Sequence, residues 1–406
     1  MTGTNSPFTF AEVHARFDEP AADLALTARE LEVRELTRTV VSEHVAPHAA
    51  RLDEEHEFAH NGVQALARAG LCGLLFPRDL GGSDDSTVAY ALAMEEITAA
   101  CPATSLVFMT QMHAAYPILL GGVEEVQHAY IPRLLNGSAY GSLGITEPDA
   151  GSDVASMSTT AVEKDGGWSL SGQKTFITTG DRADVIVCFA SVDRSRGRDG
   201  ISAFVVEGDA EGLTRGAPFA KLGMHASSTA ELFLDDVRVD TSRVLGEVGG
   251  GWSLVMSSVV KSRISAAAQG VGIARAVYAG AVEAITQVHG PKPPEDVVFA
   301  LAELRGRVLQ GRLLLHAVAR QVDLDPDVTP GQIAMMKQQC TDLGFNAAVD
   351  AVGLLGPLGD LRDVGLERYL RDAKVTQIYD GTNEIQRLLI GREILRAQPR
   401  VADRSL

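Results

Sequence analysis

The run from Arg371 to Arg387 holds Asp380 beside the only glycine of that stretch, Gly381, between two helix-like segments. A carboxylate at a chain break can point into a cavity. The neighbouring glycine lets a ligand come close to the backbone. The same residues also fit an ordinary Asp-Gly turn capping the next helix. Taken alone, the run leaves both readings open.

Two other segments offer binding chemistry. Leu143 to Asp153 combines hydroxyls and small residues in a loop (Leu143, Ile145, Thr146, Ser152). Such a loop can present N–H groups to a polar ring edge or a phosphate, and it equally fits a surface turn cluster. Gly172 to Gly180 contains Phe176 and Thr178 at strand spacing. An aromatic and a hydroxyl on one face suit a flat heteroaromatic ring. His56-Glu57-Phe58-Ala59-His60 matches the zinc-protease pattern H-E-x-x-H, but Asn61-Gly62 follows at once and leaves little helix. We expect a solvated segment between helices there, and no metal. Gly270-Val271-Gly272 lacks the third glycine and the preceding strand of a dinucleotide fingerprint, so close helix packing is expected instead.

These residues need a scaffold. The 406 residues suffice for two or three packed units. A net charge of -17 disfavours a nucleic-acid partner, which needs clustered Lys and Arg. The four cysteines are scattered, no secretory leader is visible, and no apolar run spans a bilayer, so the cytoplasm is the expected compartment. Residues 1–26 read as a loose arm. Helical periods fill 27–140, with Ser86 or Thr87 capping a helix that ends near Ala100 and Pro102 starting the next. Residues 141–248 alternate and carry turn signals such as Asp165-Gly166-Gly167, predicting a β domain. Helical periods return over 249–398, broken at Gly290–Pro294 and Pro326–Pro330, with a tail at 399–406. The fold class is mainly α with a central β domain.

In this order, the segments resemble the acyl-CoA dehydrogenases. The resemblance rests on Ile145-Thr146-Glu147-Pro148 with Gly151-Ser152-Asp153, Gly172-Gln173-Lys174 with Phe176-Ile177-Thr178, and Lys221-Leu222-Gly223-Met224. It continues through Asp235-Asp236-Val237-Arg238-Val239, Arg371-Asp372-Ala373-Lys374 and Ile378-Tyr379-Asp380-Gly381-Thr382. It implies an N-terminal helical domain, a middle β-barrel or sandwich and a C-terminal four-helix bundle, assembled as a homo-oligomer, dimer or tetramer. It also implies FAD held by Leu143, Ile145, Thr146, Ser152, Phe176, Thr178, Gly353, Gly356, Thr382 and Glu384. An acyl-CoA or acyl-carrier-protein substrate would meet Ser152, Arg263 and Gly381. Asp380 would take the α proton while the β hydrogen leaves as hydride to the flavin. An electron-transfer flavoprotein or O2 would then accept the electrons. An oxidase or monooxygenase acting on a non-thioester substrate with O2 is the alternative on the same scaffold.

Two departures stand out. The family base is usually glutamate where this chain has Asp380, which reaches roughly 1.5 Å less far. Relatives that use an earlier-helix glutamate have it at the position of Ser262, so Asp380 remains the expected base. Aspartate here occurs among relatives acting on cyclic acyl-CoA substrates and among nitroalkane oxidases. The second departure is at His289–Pro294 and Gly353–Pro357, which lack the usual motifs for adenosine pyrophosphate at a subunit interface. Weaker or rearranged FAD binding is expected from that.

Overall fold

A computed structural model describes residues 23, 25–325 and 328–396. Most of the predicted arm, the tail, and Pro326 and Asp327 of the predicted break lie outside them. Helices α1 (Ala28–His44), α2 (Ala49–Glu55), α3 (His60–Arg68), α4 (Thr87–Ala100), α5 (Pro102–Gly121) and α6 (Glu124–Leu135) come first. Thr27 and Glu30 form a capping box at α1, and Ser86 caps α4 through the Ala89 N–H. Pro102 opens α5, where its missing N–H costs nothing. α4 is buried along its whole length, including Glu95 and Glu96, so it has no solvent face.

Eight strands follow: β1 (Gly141–Gly144), β2 (Thr160–Lys164), β3 (Gly167–Thr178), β4 (Val185–Ser191), β5 (Ile201–Glu207), β6 (Leu213–Arg215), β7 (Thr229–Asp240) and β8 (Val244–Leu245). They form one mixed sheet in the order β6-β7-β3-β2-β4-β5-β8, with β1 pairing β4 in parallel. β2 and β3 form the hairpin turned at Asp165-Gly166. In β7, Ala230, Leu232 and Leu234 are buried and Phe233 and Asp235 exposed, so alternation sorts the two faces. Trp168, Leu170, Phe204 and Val237 join a core under the sheet.

The C-terminal unit comprises α7 (Gly251–His289), α8 (Glu295–Leu324), α9 (Pro330–Leu354), α10 (Leu366–Thr376) and α11 (Asn383–Arg396). Gly290–Pro294 separates α7 from α8 as expected. Gly270 on α7 faces Gly344 and Cys340 on α9 so closely that an added Cβ would sit 2.1 Å from the Cys340 carbonyl oxygen. The Gly-Val-Gly run is therefore a helix-packing device. Glu95 of α4 forms buried ion pairs with Arg275 of α7 and Arg312 of α8, at 2.5 and 2.9 Å. Burial alone would raise its carboxyl, but the two guanidiniums hold it well below the usual range. This link ties the first helical unit to the last. Among the described residues no helix is long and apolar enough to cross a membrane.

Candidate active site

The three units enclose a cleft of about 1240 Å³. Its walls are one stripe of α5, the loop after β1, the end of β3, α7, and residues 371–396. Pockets for a single small ligand commonly run to about 300–1,000 Å³, so this one has room for two molecules side by side. Leu143, Ile145, Thr146, Ser152, Phe176, Thr178, Arg263, Asp380, Gly381 and Thr382 all line it. Three expected residues do not. Gly353 and Gly356 are exposed at the end of α9, and Glu384 is exposed at the start of α11. None of the three lines the cleft in a single chain.

Asp380 sits in the connection between α10 and α11. Its φ is +55°, a left-handed conformation unusual for a residue with a Cβ, and Gly381 follows at +86°. Side chains from three helices hold this backbone in place. Arg263 Nε of α7 donates to the Asp380 carbonyl at 3.4 Å. Gln386 Nε2 of α11 donates to the Asp380 and Gly381 carbonyls at 3.2 and 2.8 Å. Lys337 Nζ of α9 donates to the Gly381 carbonyl at 3.0 Å and to Asn383 Oδ1 at 2.8 Å. The carboxylate itself is left alone: Asp380 Oδ2 is buried and has no hydrogen-bond partner. Burial draws the Arg263 guanidinium down to about 10 and the Lys337 ammonium down to about 8, while the charge of Asp380 opposes both shifts. Ser262 also lines the cleft, but its hydroxyl donates to the Val259 carbonyl, and α7 brings no acid there.

The opposite wall is built differently. Glu147 and Lys174 form a fully buried ion pair at 2.7 Å. Glu147 also accepts from Ser158 Oγ at 2.6 Å and the Thr159 N–H at 3.0 Å, and Lys174 donates to the Ile145 carbonyl at 3.2 Å. Burial would raise the Glu147 carboxyl, but Lys174 and these donors outweigh it and hold it at about 2. The pair clamps the 145–152 loop to β3. Two residues on, the β3–β7 register slips between Lys174 and Ile177. At that slip Phe176 adopts φ +55° and, although its ring lies 5.3 Å from that of Phe219, the residue stays 67% exposed where it lines the cleft. An exposed aromatic on strained backbone is poorly explained by packing within the chain and suits a flat ligand ring. With the Thr146 and Thr178 hydroxyls beside it, this wall fits a flavin.

Three polar residues of this region escaped the sequence-based reading. Lys337 interrupts the buried face of α9 made by Ile333, Ala334 and Cys340, and a lone cation in an apolar stripe was a usable signal. Gln386 is wholly buried one turn into α11. His113, on α5, lines the cleft with its Nε2 buried and unpartnered. The H-E-x-x-H segment behaves as a break between helices. His56 ends α2 at φ +53° and stacks on His225, whereas His60 begins α3 and pairs with the Tyr140 hydroxyl at 2.8 Å. The two imidazoles thus belong to different helices.

Comparison with known proteins agrees with this architecture. Residues 27–138, 142–237 and 249–395 match, respectively, the acyl-CoA dehydrogenase N-terminal, middle and C-terminal domain families. An acyl-CoA dehydrogenase of Bacillus subtilis is 37% identical over 377 residues, covering 91% of this chain and 99% of that protein. Cyclohex-1-ene-1-carbonyl-CoA dehydrogenase of Geobacter metallireducens is 36% identical over 375 residues, with the same coverage. Among solved structures, butyryl-CoA dehydrogenase of Megasphaera elsdenii superposes with a TM-score of 0.88 at 32% identity, covering 91% of this chain and 99% of that one. The chain belongs to the acyl-CoA dehydrogenase family, FAD-dependent oxidoreductases that act on CH–CH groups.

Proposed function

We propose that this protein converts an acyl thioester, carried by CoA, to its α,β-unsaturated product, with Asp380 as the base. One observation carries the reading. Three acids line the cleft among the described residues. Glu147 is paired with Lys174, and Glu393 accepts from the Thr329 hydroxyl and the Gly331 N–H. Of these three, only Asp380 keeps a buried carboxylate oxygen without a hydrogen-bond partner. A buried acceptor left open is costly within the chain and is the natural recipient of a substrate proton.

FAD held in this cleft would supply the electron sink for the hydride lost from the β carbon. Phe176 would pack on its ring system, and Ile145, Thr146, Ser152, Thr178 and Thr382 would hold its polar edges. Gly353, Gly356 and Glu384 would act on a neighbouring subunit's cofactor in a homo-oligomer. Asp380 removes the α proton onto its carboxylate. Arg263, Gln386 and Lys337 fix the main chain that carries Asp380, so the carboxylate meets the α carbon from a set direction. The Gly381 N–H donates to no group among the described residues and is available to the thioester oxygen as enolate charge develops. The apolar wall of α5 and α7 keeps water from the acyl chain.

The test is anaerobic. FAD-loaded protein should bleach with one member of an acyl-CoA panel that includes cyclic acyl groups. Asp380→Asn should keep the flavin spectrum and bleach roughly 10²–10⁴-fold more slowly. Bleaching of the variant at the wild-type rate would remove Asp380 from the reaction.

A further inference from the structure

The stripe of α5 that faces the cleft runs Leu106, Met109, Thr110, His113 and Tyr116, at helical spacing. Leu106 and Met109 are apolar. The Thr110 hydroxyl is already committed, donating to the Val107 carbonyl at 2.7 Å and lying 3.3 Å from the Thr179 hydroxyl. His113 differs. It is 9% exposed, and its Nε2 is buried with no partner in the protein. Leucine or methionine would fill such a position without leaving a polar atom unpaired. A histidine kept there needs a hydrogen-bonding partner from whatever occupies the cavity. Burial lowers the His113 imidazole and the charge of Asp380 raises it, so the two groups share one electrostatic environment. Both side chains line the same cleft, so a molecule whose α carbon meets Asp380 lies in the cavity that His113 faces.

We propose that His113 is a specificity-determining residue and that the acyl group of the substrate carries a hydrogen-bonding function, such as a hydroxyl, beyond its β carbon. The inference rests on reading the cleft as an acyl-thioester site, and it adds the chemical class of the acyl group. A neutral imidazole offers one donor and one acceptor, and a hydroxyl can satisfy either tautomer. A site built to hydrogen-bond a group rejects analogues that lack it far more strongly than an apolar pocket rejects an added hydroxyl.

Unsaturated, product-type thioesters make the test independent of the base, because they bind without being dehydrogenated. Dissociation constants are measured by calorimetry on FAD-loaded protein. trans-4-Hydroxybut-2-enoyl-CoA is set against trans-pent-2-enoyl-CoA, and trans-5-hydroxypent-2-enoyl-CoA against trans-hex-2-enoyl-CoA. Each pair differs only by a hydroxyl in place of a methyl. Wild type should prefer the hydroxylated member of at least one pair by tenfold or more. His113→Leu should abolish or reverse that preference, and His113→Gln should restore part of it. If His113→Leu fails to hold FAD, the wild-type preference and the glutamine variant still decide. Equal or weaker binding of both hydroxylated ligands by wild type would overturn the proposal and leave His113 satisfied by water. If the preference appears but Asp380→Asn still bleaches normally, the specificity inference stands and the assignment of the base fails.

Discussion

Glu147 and Asp380 face one cleft from opposite walls, and they are furnished in opposite ways. Glu147 has a cation, a hydroxyl and main-chain donors around it and is held at about 2. At Asp380 the protein satisfies the main-chain carbonyls and leaves Oδ2 bare. A saturated carboxylate can only build, because every lone pair is occupied. An unsaturated one on a braced backbone can accept a proton. The comparison separates a residue that shapes the site from one that reacts in it, although both belong to motifs that look equally prominent in sequence.

The contrast predicts a hierarchy of effects. The largest is Glu147→Gln, which leaves the Lys174 ammonium buried without its counter-charge and should destabilise the fold by about 3–5 kcal/mol in chemical denaturation. Glu147 has a folded pKa near 2, below its ordinary 4.5. Its stabilisation is therefore present above about pH 4.5 and lost as pH falls toward 2, and the variant should lose that acid slope. Asp372 is an intermediate case. It is buried and accepts from the Met224 N–H, and burial pushes its carboxyl up to about 6 from 3.8. Its folded form holds a proton more tightly than the unfolded chain, so stability should fall as pH rises from about 4 to about 6. Asp372→Asn should remove that slope and gain up to about 3 kcal/mol at pH 7, read from denaturation curves across pH.

Smaller effects are expected from lengthening Asp380 and on its contribution to stability. Asp380→Glu moves the carboxylate oxygens outward by roughly 1.5 Å, which should slow flavin bleaching by about a hundredfold on the protein's own substrate. The smallest is the stability change of Asp380→Asn. With no partner to lose, the variant should stay within about 0.5 kcal/mol of wild type or become more stable. A loss as large as that of Glu147→Gln would show that Asp380 is a structural carboxylate and would collapse the contrast.

Local signals exposed most of the architecture in the sequence. Ser86, Pro102 and Gly290–Pro294 mark helix ends because caps and prolines act on their immediate neighbours. Asp165-Gly166 marks the hairpin for the same reason. Asp380 and Gly381 were legible as a chain break, and the motif order pointed to their family. Pairings across long separations were not legible. Glu147 meets Lys174 27 residues away, and Lys337 meets the Gly381 carbonyl 44 residues away. His113 was hidden for another reason. α5 is buried on nearly every side, so its sequence has no polar face against which a histidine turned inward would look misplaced. Gly353, Gly356 and Glu384 came from the resemblance alone, and none of them lines the cleft of a single chain.

The central claim is that Asp380 removes the α proton, and isotope exchange isolates that step from the redox chemistry. 3,3-Dimethylbutanoyl-CoA has α hydrogens and none on its β carbon, so it can be deprotonated but not dehydrogenated. FAD-loaded protein in D2O should place deuterium on its α carbon, read by mass spectrometry, and Asp380→Asn should not do so above the uncatalysed rate. Exchange by the variant at the wild-type rate would contradict the account.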